Sequence, residues 1–132
     1  MKAKYWTFEP LFKFSEFMCK CGKCKVDSGL NMRISTITKL EKMRRDACFP
    51  FVINSGWRCA KHPEEAKKKE PGTHYLGYGL DVRVSTPEQR KWVLDNAEKY
   101  GFHGIGKGLT FVHLDDLGFD SRVPRPAQWD YS

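Results

Sequence analysis

Leu80-Asp81-Val82-Arg83-Val84, followed at once by Thr86-Pro87-Glu88-Gln89, sets a strand directly against a helix start. The first five residues alternate apolar and charged side chains, as in a strand with one face toward a core. Thr86 is a capping residue, Pro87 suits the first helical position and Gln89 stands three after the cap, so a helix is expected to begin there. Its expected end is near Tyr100, with Gly101 as terminator. On the N-terminal side, Phe51-Val52-Ile53 reads as a short strand closed by Asn54-Ser55-Gly56, which delivers Trp57 and Arg58 to a loop. Before it, from Leu30, the residues Ile34, Ile37, Leu40, Met43 and Ala47 recur at steps of three or four. They predict a helix with one buried face, stopped by Phe49-Pro50. On the C-terminal side, short strands are expected around Gly104 to Gly106 and from Leu109 to Leu114, before a Pro- and Arg-containing tail ending Gln128-Trp129-Asp130-Tyr131. The order helix, strand, strand, helix, strand, strand predicts an α+β domain with a small, mainly antiparallel sheet and flanking helices.

At 132 residues and 40% hydrophobic content, residues 1–132 suit a single domain and are too few for two ordinary ones. Residues 1–27 are expected to form an irregular Cys-rich N-terminal arm, and His62 to Glu70 a solvated helix or loop. No run of apolar residues reaches the roughly eighteen of a membrane span. Met1-Lys2-Ala3-Lys4-Tyr5-Trp6 lacks the apolar stretch of a signal peptide. The net charge of +7, from 23 Lys and Arg against 16 Asp and Glu, favours anionic polymers: nucleic acid, anionic lipid and bacterial wall polymers all qualify. Five cysteines, Cys19, Cys21, Cys24, Cys48 and Cys59, are an odd set without an export signal, so a complete disulfide framework is not expected.

Chemistry concentrates in Gly72-Thr73-His74-Tyr75-Leu76-Gly77-Tyr78-Gly79-Leu80-Asp81 and in Phe111-Val112-His113-Leu114-Asp115. A catalytic zinc takes three protein ligands and keeps an open position for water. His74, on a glycine-punctuated loop, and Asp81 and His113, on strands, would supply two imidazoles and a carboxylate. A metal so held can lower the pKa of its water to roughly 7 and polarise a peptide carbonyl, which is the chemistry of amide hydrolysis. The same residues also suit a plain reading, with a loop histidine, a turn-capping Asp and a hydrogen-bonded sheet histidine.

Ser55-Gly56-Trp57-Arg58, then His74, Gly77 and Asp81 in register, then Phe111-Val112-His113-Leu114-Asp115 resembles the zinc D-Ala-D-Ala carboxypeptidases and L-alanyl-D-glutamate endopeptidases, a family that includes many bacteriophage endolysins. The family pattern is Ser-Gly-Tyr-Arg, then Ser-x-His-x-x-Gly-x-Ala-x-Asp, then a strand carrying a His. The resemblance runs from about Phe14 to Trp129 and takes in the Cys-rich opening and an Arg-x-x-x-Trp-like close at Arg125 to Trp129. It implies the fold of hedgehog and D-Ala-D-Ala-peptidase domains, and Zn2+ on His74, Asp81 and His113. It also implies a role for Arg58 beside the metal, binding a substrate carboxylate or the developing oxyanion.

The chain departs from the pattern at Gly72, where the family usually has Ser, and at Gly79, where it usually has Ala. Thr110 stands three residues before His113, where several members place an acid, and threonine cannot act as the base. Asp115, two residues beyond His113 on the same strand face, is the expected substitute, with a supporting role behind the ligand imidazole as the alternative. Asp116 and Asp120 come next. Trp57, Tyr75, Tyr78 and Trp129 are candidates to wall a cleft. Cys19, Cys21 and Cys24, with Cys48 or Cys59 as a fourth, suit a structural zinc, a disulfide formed after release, or buried free thiols.

The function these features imply is a zinc metallopeptidase cutting peptidoglycan stem peptides, endolysin-like and monomeric. It would be made in the cytoplasm without a signal peptide and released to the periplasm or cell wall. Alternatives are a carboxypeptidase trimming terminal D-alanine, a metal-retaining wall binder, and a basic nucleic-acid-binding module. The last leaves His74, Asp81 and His113 unexplained, so neither nucleic acid nor membrane is the expected partner.

Overall fold

A computed structural model describes residues 12–67, 72–117 and 125–131. The expected arm at 1–27 and the stretch 62–70 are therefore only partly within the described residues, and Asp120 lies outside them. Residues 12–31 hold two short 3-10 turns, Phe14–Phe17 and Val26–Asn31.

The first helix, α1, spans Ile34–Ala47 rather than starting at Leu30. Leu30 belongs to the preceding 3-10 turn, where the Asn31 side-chain amide donates to the Ser28 carbonyl at 3.0 Å and competes with helix formation. Met32 and Arg33 then run extended before the helix opens. Ile37, Leu40, Met43 and Ala47 are buried, as their spacing predicts, whereas Ile34, at the first position of the helix, is exposed. Strand β1, Val52–Ser55, leads to the short helix α2, Pro63–Ala66, and the single turn α3, Thr73–Leu76. Strand β2, Gly79–Arg83, precedes α4, Pro87–Asn96, whose Thr86 cap accepts from the Gln89 N–H at 3.1 Å. A 3-10 turn, Ala97–Tyr100, ends at Gly101 in the left-handed region. Strands β3, Gly104–Lys107, β4, Phe111–Asp115, and β5, Ala127–Asp130, complete the sheet.

The strand order is β1-β2-β4-β3-β5. All pairs are antiparallel except β3 with β5, which are parallel. The α+β expectation with a mainly antiparallel sheet is what the structure shows. The tail, to which no element was assigned from the sequence, forms β5. Its alternating half-exposed residues and flanking Pro126 carry little strand signal, and pairing with β3 supplies what local propensity does not.

The core lies between the sheet and its helices, with Leu80, Val82, Val112, Leu114 and Ile105 from the strands against Leu40, Met43 and Val93. Asp116, just past β4, ties α1 down: it accepts from Thr36 Oγ1 at 2.6 Å and pairs with Lys39 at 2.9 Å. None of the described helices is long and apolar enough to cross a membrane.

Candidate metal centre

Strand pairing brings two of the expected ligands together. Asp81 on β2 is the register partner of His113 on β4, so both side chains leave the sheet on one face. His74 reaches the same point from α3, a helical turn where a loop was expected. All three side chains are buried, and their ligand atoms lie within 4.8 Å of one another.

The hydrogen bonds decide how each ring faces the centre. His74 Nδ1 is 2.8 Å from the Gly56 carbonyl oxygen, which can only accept, so Nδ1 carries the proton and Nε2 keeps its lone pair. That Nε2 lies 3.4 Å from Asp81 Oδ1. His113 has the opposite arrangement: Nε2 donates to Asp115 Oδ2 at 2.9 Å, and Nδ1 faces Asp81 Oδ1 at 3.0 Å. His74 Nε2 and His113 Nδ1 therefore both face one carboxylate oxygen. Nitrogen and oxygen donors about 2.05 Å from a tetrahedral zinc stand about 3.3 Å apart, so the donor set and its spacing fit that ion.

Electrostatics follow from the same contacts. Burial holds His74 below its ordinary pKa, only partly offset by Asp81. Burial also pulls His113 down, but the carboxylates of Asp115 and Asp81 outweigh it and leave the ring above its usual value. Burial would raise Asp81, yet the hydrogen bonds to His113 and His74 win and hold it well below the carboxylate range. Asp115 is lowered in the same way, burial being outweighed by His113 and Arg125.

Around this centre, Arg58 Nη2 is 3.4 Å from Asp81 Oδ2, while its Nε donates to Ser55 Oγ at 3.0 Å. Asp115 is completely buried, and Arg125 holds both of its oxygens. The Trp129 ring lies 5.5 Å from that of His113. A Cβ on Gly106 would come within 2.8 Å of Trp129 Nε1 and 3.0 Å of His113 Cβ, so glycine there is what admits the indole. Of the other aromatics, Trp57 and Tyr75 pair at 6.0 Å beside a separate groove, and Tyr78 sits under Arg33. Thr110 is exposed and lines a depression with Val84, Pro87 and Arg90 that none of the three converging residues enters.

Sequence reasoning missed the supporting residues. The Gly56 carbonyl carries no side-chain signal. Arg125 entered only as the start of the Arg-x-x-x-Trp close, and its guanidinium lies over Trp129 at 5.4 Å. Thr73, 3.4 Å from His113 Nε2, explains Gly79: a methyl group at 79 would collide with Thr73 Oγ1.

No curated protein matches the chain. The family model described as Peptidase M15 matches residues 10–115. Since that match spans most of the chain and takes in His74, Asp81 and His113 where they converge, the chain belongs to the peptidase M15 family.

Proposed function

We propose that this chain is a zinc-dependent peptidase that hydrolyses amide bonds in the stem peptides of bacterial peptidoglycan, as an endolysin does, with zinc on His74 Nε2, Asp81 Oδ1 and His113 Nδ1. The observation that carries this reading is the pair of imidazoles held by opposite outer nitrogens, both aimed at one Asp81 oxygen within a peptidase family. When bound, zinc supplies Lewis-acid polarisation of the scissile carbonyl and a water of lowered pKa. Arg58, with its Nε fixed on Ser55, presents its remaining donors beside Asp81, where they bind a substrate carboxylate or the developing oxyanion. Trp129, its ring 5.5 Å from that of His113, forms a wall on that side. In this reading residues 1–132 form one domain working as a monomer.

The expected base, Asp115, fits a different task. It has no solvent exposure, and both of its oxygens already accept from Arg125 and His113, which engages it away from solvent. It acts as a positioning residue that fixes the His113 tautomer and makes that ring a better ligand. The lack of a free acid at Asp115 or Thr110 favours, as second reading, a metal-retaining protein that binds wall peptide without cutting it.

Incubation of zinc-loaded protein with purified peptidoglycan, followed by mass spectrometry of new termini, tests both. New N-termini on D-glutamate support an endopeptidase, and released D-alanine a carboxypeptidase. Binding without new termini supports the second reading. Cleavage that persists in His74→Ala and in the presence of chelator would overturn the metal assignment.

A further inference from the structure

Four thiols from two separate stretches meet beside the loop that carries Arg58. Cys19, Cys21 and Cys24 come from the N-terminal segment, and Cys59 directly follows Arg58. Their sulfurs lie within 4.8 Å of one another. Cys21 Sγ is 3.6 Å from Cys24 Sγ and 3.7 Å from Cys59 Sγ. A disulfide brings its sulfurs to about 2.05 Å, so these are not bonded pairs. Four thiolates about 2.3 Å from one zinc stand about 3.8 Å apart at the corners of a tetrahedron, close to the two distances from Cys21. Cys48 takes no part: it is exposed at the end of α1, with its sulfur near the Asp46 carbonyl.

Two of the four sulfurs accept backbone N–H groups. The Lys23 N–H points at Cys21 Sγ at 3.4 Å and the Cys59 N–H at Cys19 Sγ at 3.3 Å. Hydrogen bonds of this kind favour the charged form. Gly22, with φ of 92°, lets the Cys21-Gly22-Lys23-Cys24 turn fold back on its own sulfur. A Cβ there would meet nothing within 4 Å, so the backbone angle, not crowding, calls for glycine. The charge environment agrees. Four thiolates on one divalent ion carry a net charge of about −2, and Lys23 and Lys61 line the adjoining groove of about 470 Å³.

We propose that Cys19, Cys21, Cys24 and Cys59 hold a second zinc ion as four thiolates, a structural site separate from the centre at His74, Asp81 and His113. On binding, the thiols release their protons to solvent and nothing is oxidised. The ion joins residues 40 apart in the chain, stapling the N-terminal segment to the Arg58 loop. That segment also touches the other centre: Phe17 O accepts from the Trp57 N–H at 2.9 Å and Phe17 packs on Gly56, whose carbonyl orients His74. The thiolate site thus holds in place the strand end against which His74 is set.

The test is zinc content and X-ray absorption on protein prepared in reducing, chelator-free buffer. Wild type should hold about two zinc ions per chain, and His113→Ala about one, with a sulfur-only shell at about 2.3 Å. Cys21→Ser/Cys24→Ser should lose that sulfur shell. Should the double variant not fold, cobalt(II)-substituted wild type gives the same answer through thiolate-to-metal charge-transfer bands that disappear on titration with a mercurial. The site is overturned if His113→Ala binds no zinc or shows only nitrogen and oxygen scattering. It is also overturned if the wild-type intact mass is lighter by the hydrogens of a disulfide among these four residues. Zinc that is lost in the cysteine variant and unchanged in His113→Ala would reject the His74, Asp81, His113 centre and leave the thiolate site standing.

Discussion

Arg125 and Asp115 meet in parallel, Nε to Oδ1 at 2.9 Å and Nη2 to Oδ2 at 2.8 Å, with both side chains removed from solvent. Two aligned charge-assisted bonds leave the carboxylate one remaining task, accepting from His113 Nε2.

Asp115→Asn is therefore expected to act on metal affinity and stability. It removes the negative charge that the buried Arg125 guanidinium faces, so stability should fall, and zinc affinity should fall about 10- to 100-fold. Replacing both partners, Asp115→Asn with Arg125→Met, should recover most of the stability and none of the affinity. Denaturant unfolding and chelator competition read the two effects. Normal affinity and stability with lost turnover would return Asp115 to the role of base.

Arg58→Lys tests the guanidinium fork. A lysine cannot reach Ser55 and the Asp81 side of the centre together, so turnover should drop about a hundredfold with little change in melting temperature. Wild-type cleavage by the variant would remove Arg58 from the reaction.

Zinc uptake should be coupled to protons with a definite sign. Asp115 and Asp81 hold His113 above its ordinary pKa, so below that raised value a proton competes for the nitrogen that a metal would take. Affinity should therefore fall as pH drops through that raised value, with proton release on binding growing in the same direction. Asp81, held well below the carboxylate range, stays ionised throughout and adds nothing to this slope. Calorimetry in buffers of different ionisation heat measures the protons. An affinity that is flat across about pH 5 to 8 would contradict the assignment of His113.

Gly79→Ala should destabilise the protein by about 1–3 kcal/mol, because the new methyl group meets Thr73 and comes within 3.0 Å of His113 Cε1. Adding Thr73→Ala removes the nearest colliding atom, Oγ1, and should restore part of the loss. Equal stability of Gly79→Ala and wild type would show that the α3 turn shifts freely.

The parts of the fold legible in the sequence were those with strong local signals. Ile37, Leu40, Met43 and Ala47 mark the buried face of α1 by periodicity, and the Thr86 cap sets the start of α4 to the residue. Period-two parity placed Asp115 on the His113 side of β4, and the structure agrees. What parity could not supply was the partner: Arg125 comes from beyond the strand and engages both Asp115 oxygens. β5 was illegible for a related reason, since its four residues become a strand only through β3. The α3 turn around His74 is too short to show a period, and Cys59 could not be chosen over Cys48 without the fold that sets it beside Cys21.

The opposite anchoring of the two imidazoles has a kinetic meaning. Each ring is tethered by its outer nitrogen, to the Gly56 carbonyl and to Asp115, before any ion arrives. Loading then requires a proton to leave His113 and no ring to flip, so capture speed should follow ion concentration and acidity rather than any slow rearrangement of the protein.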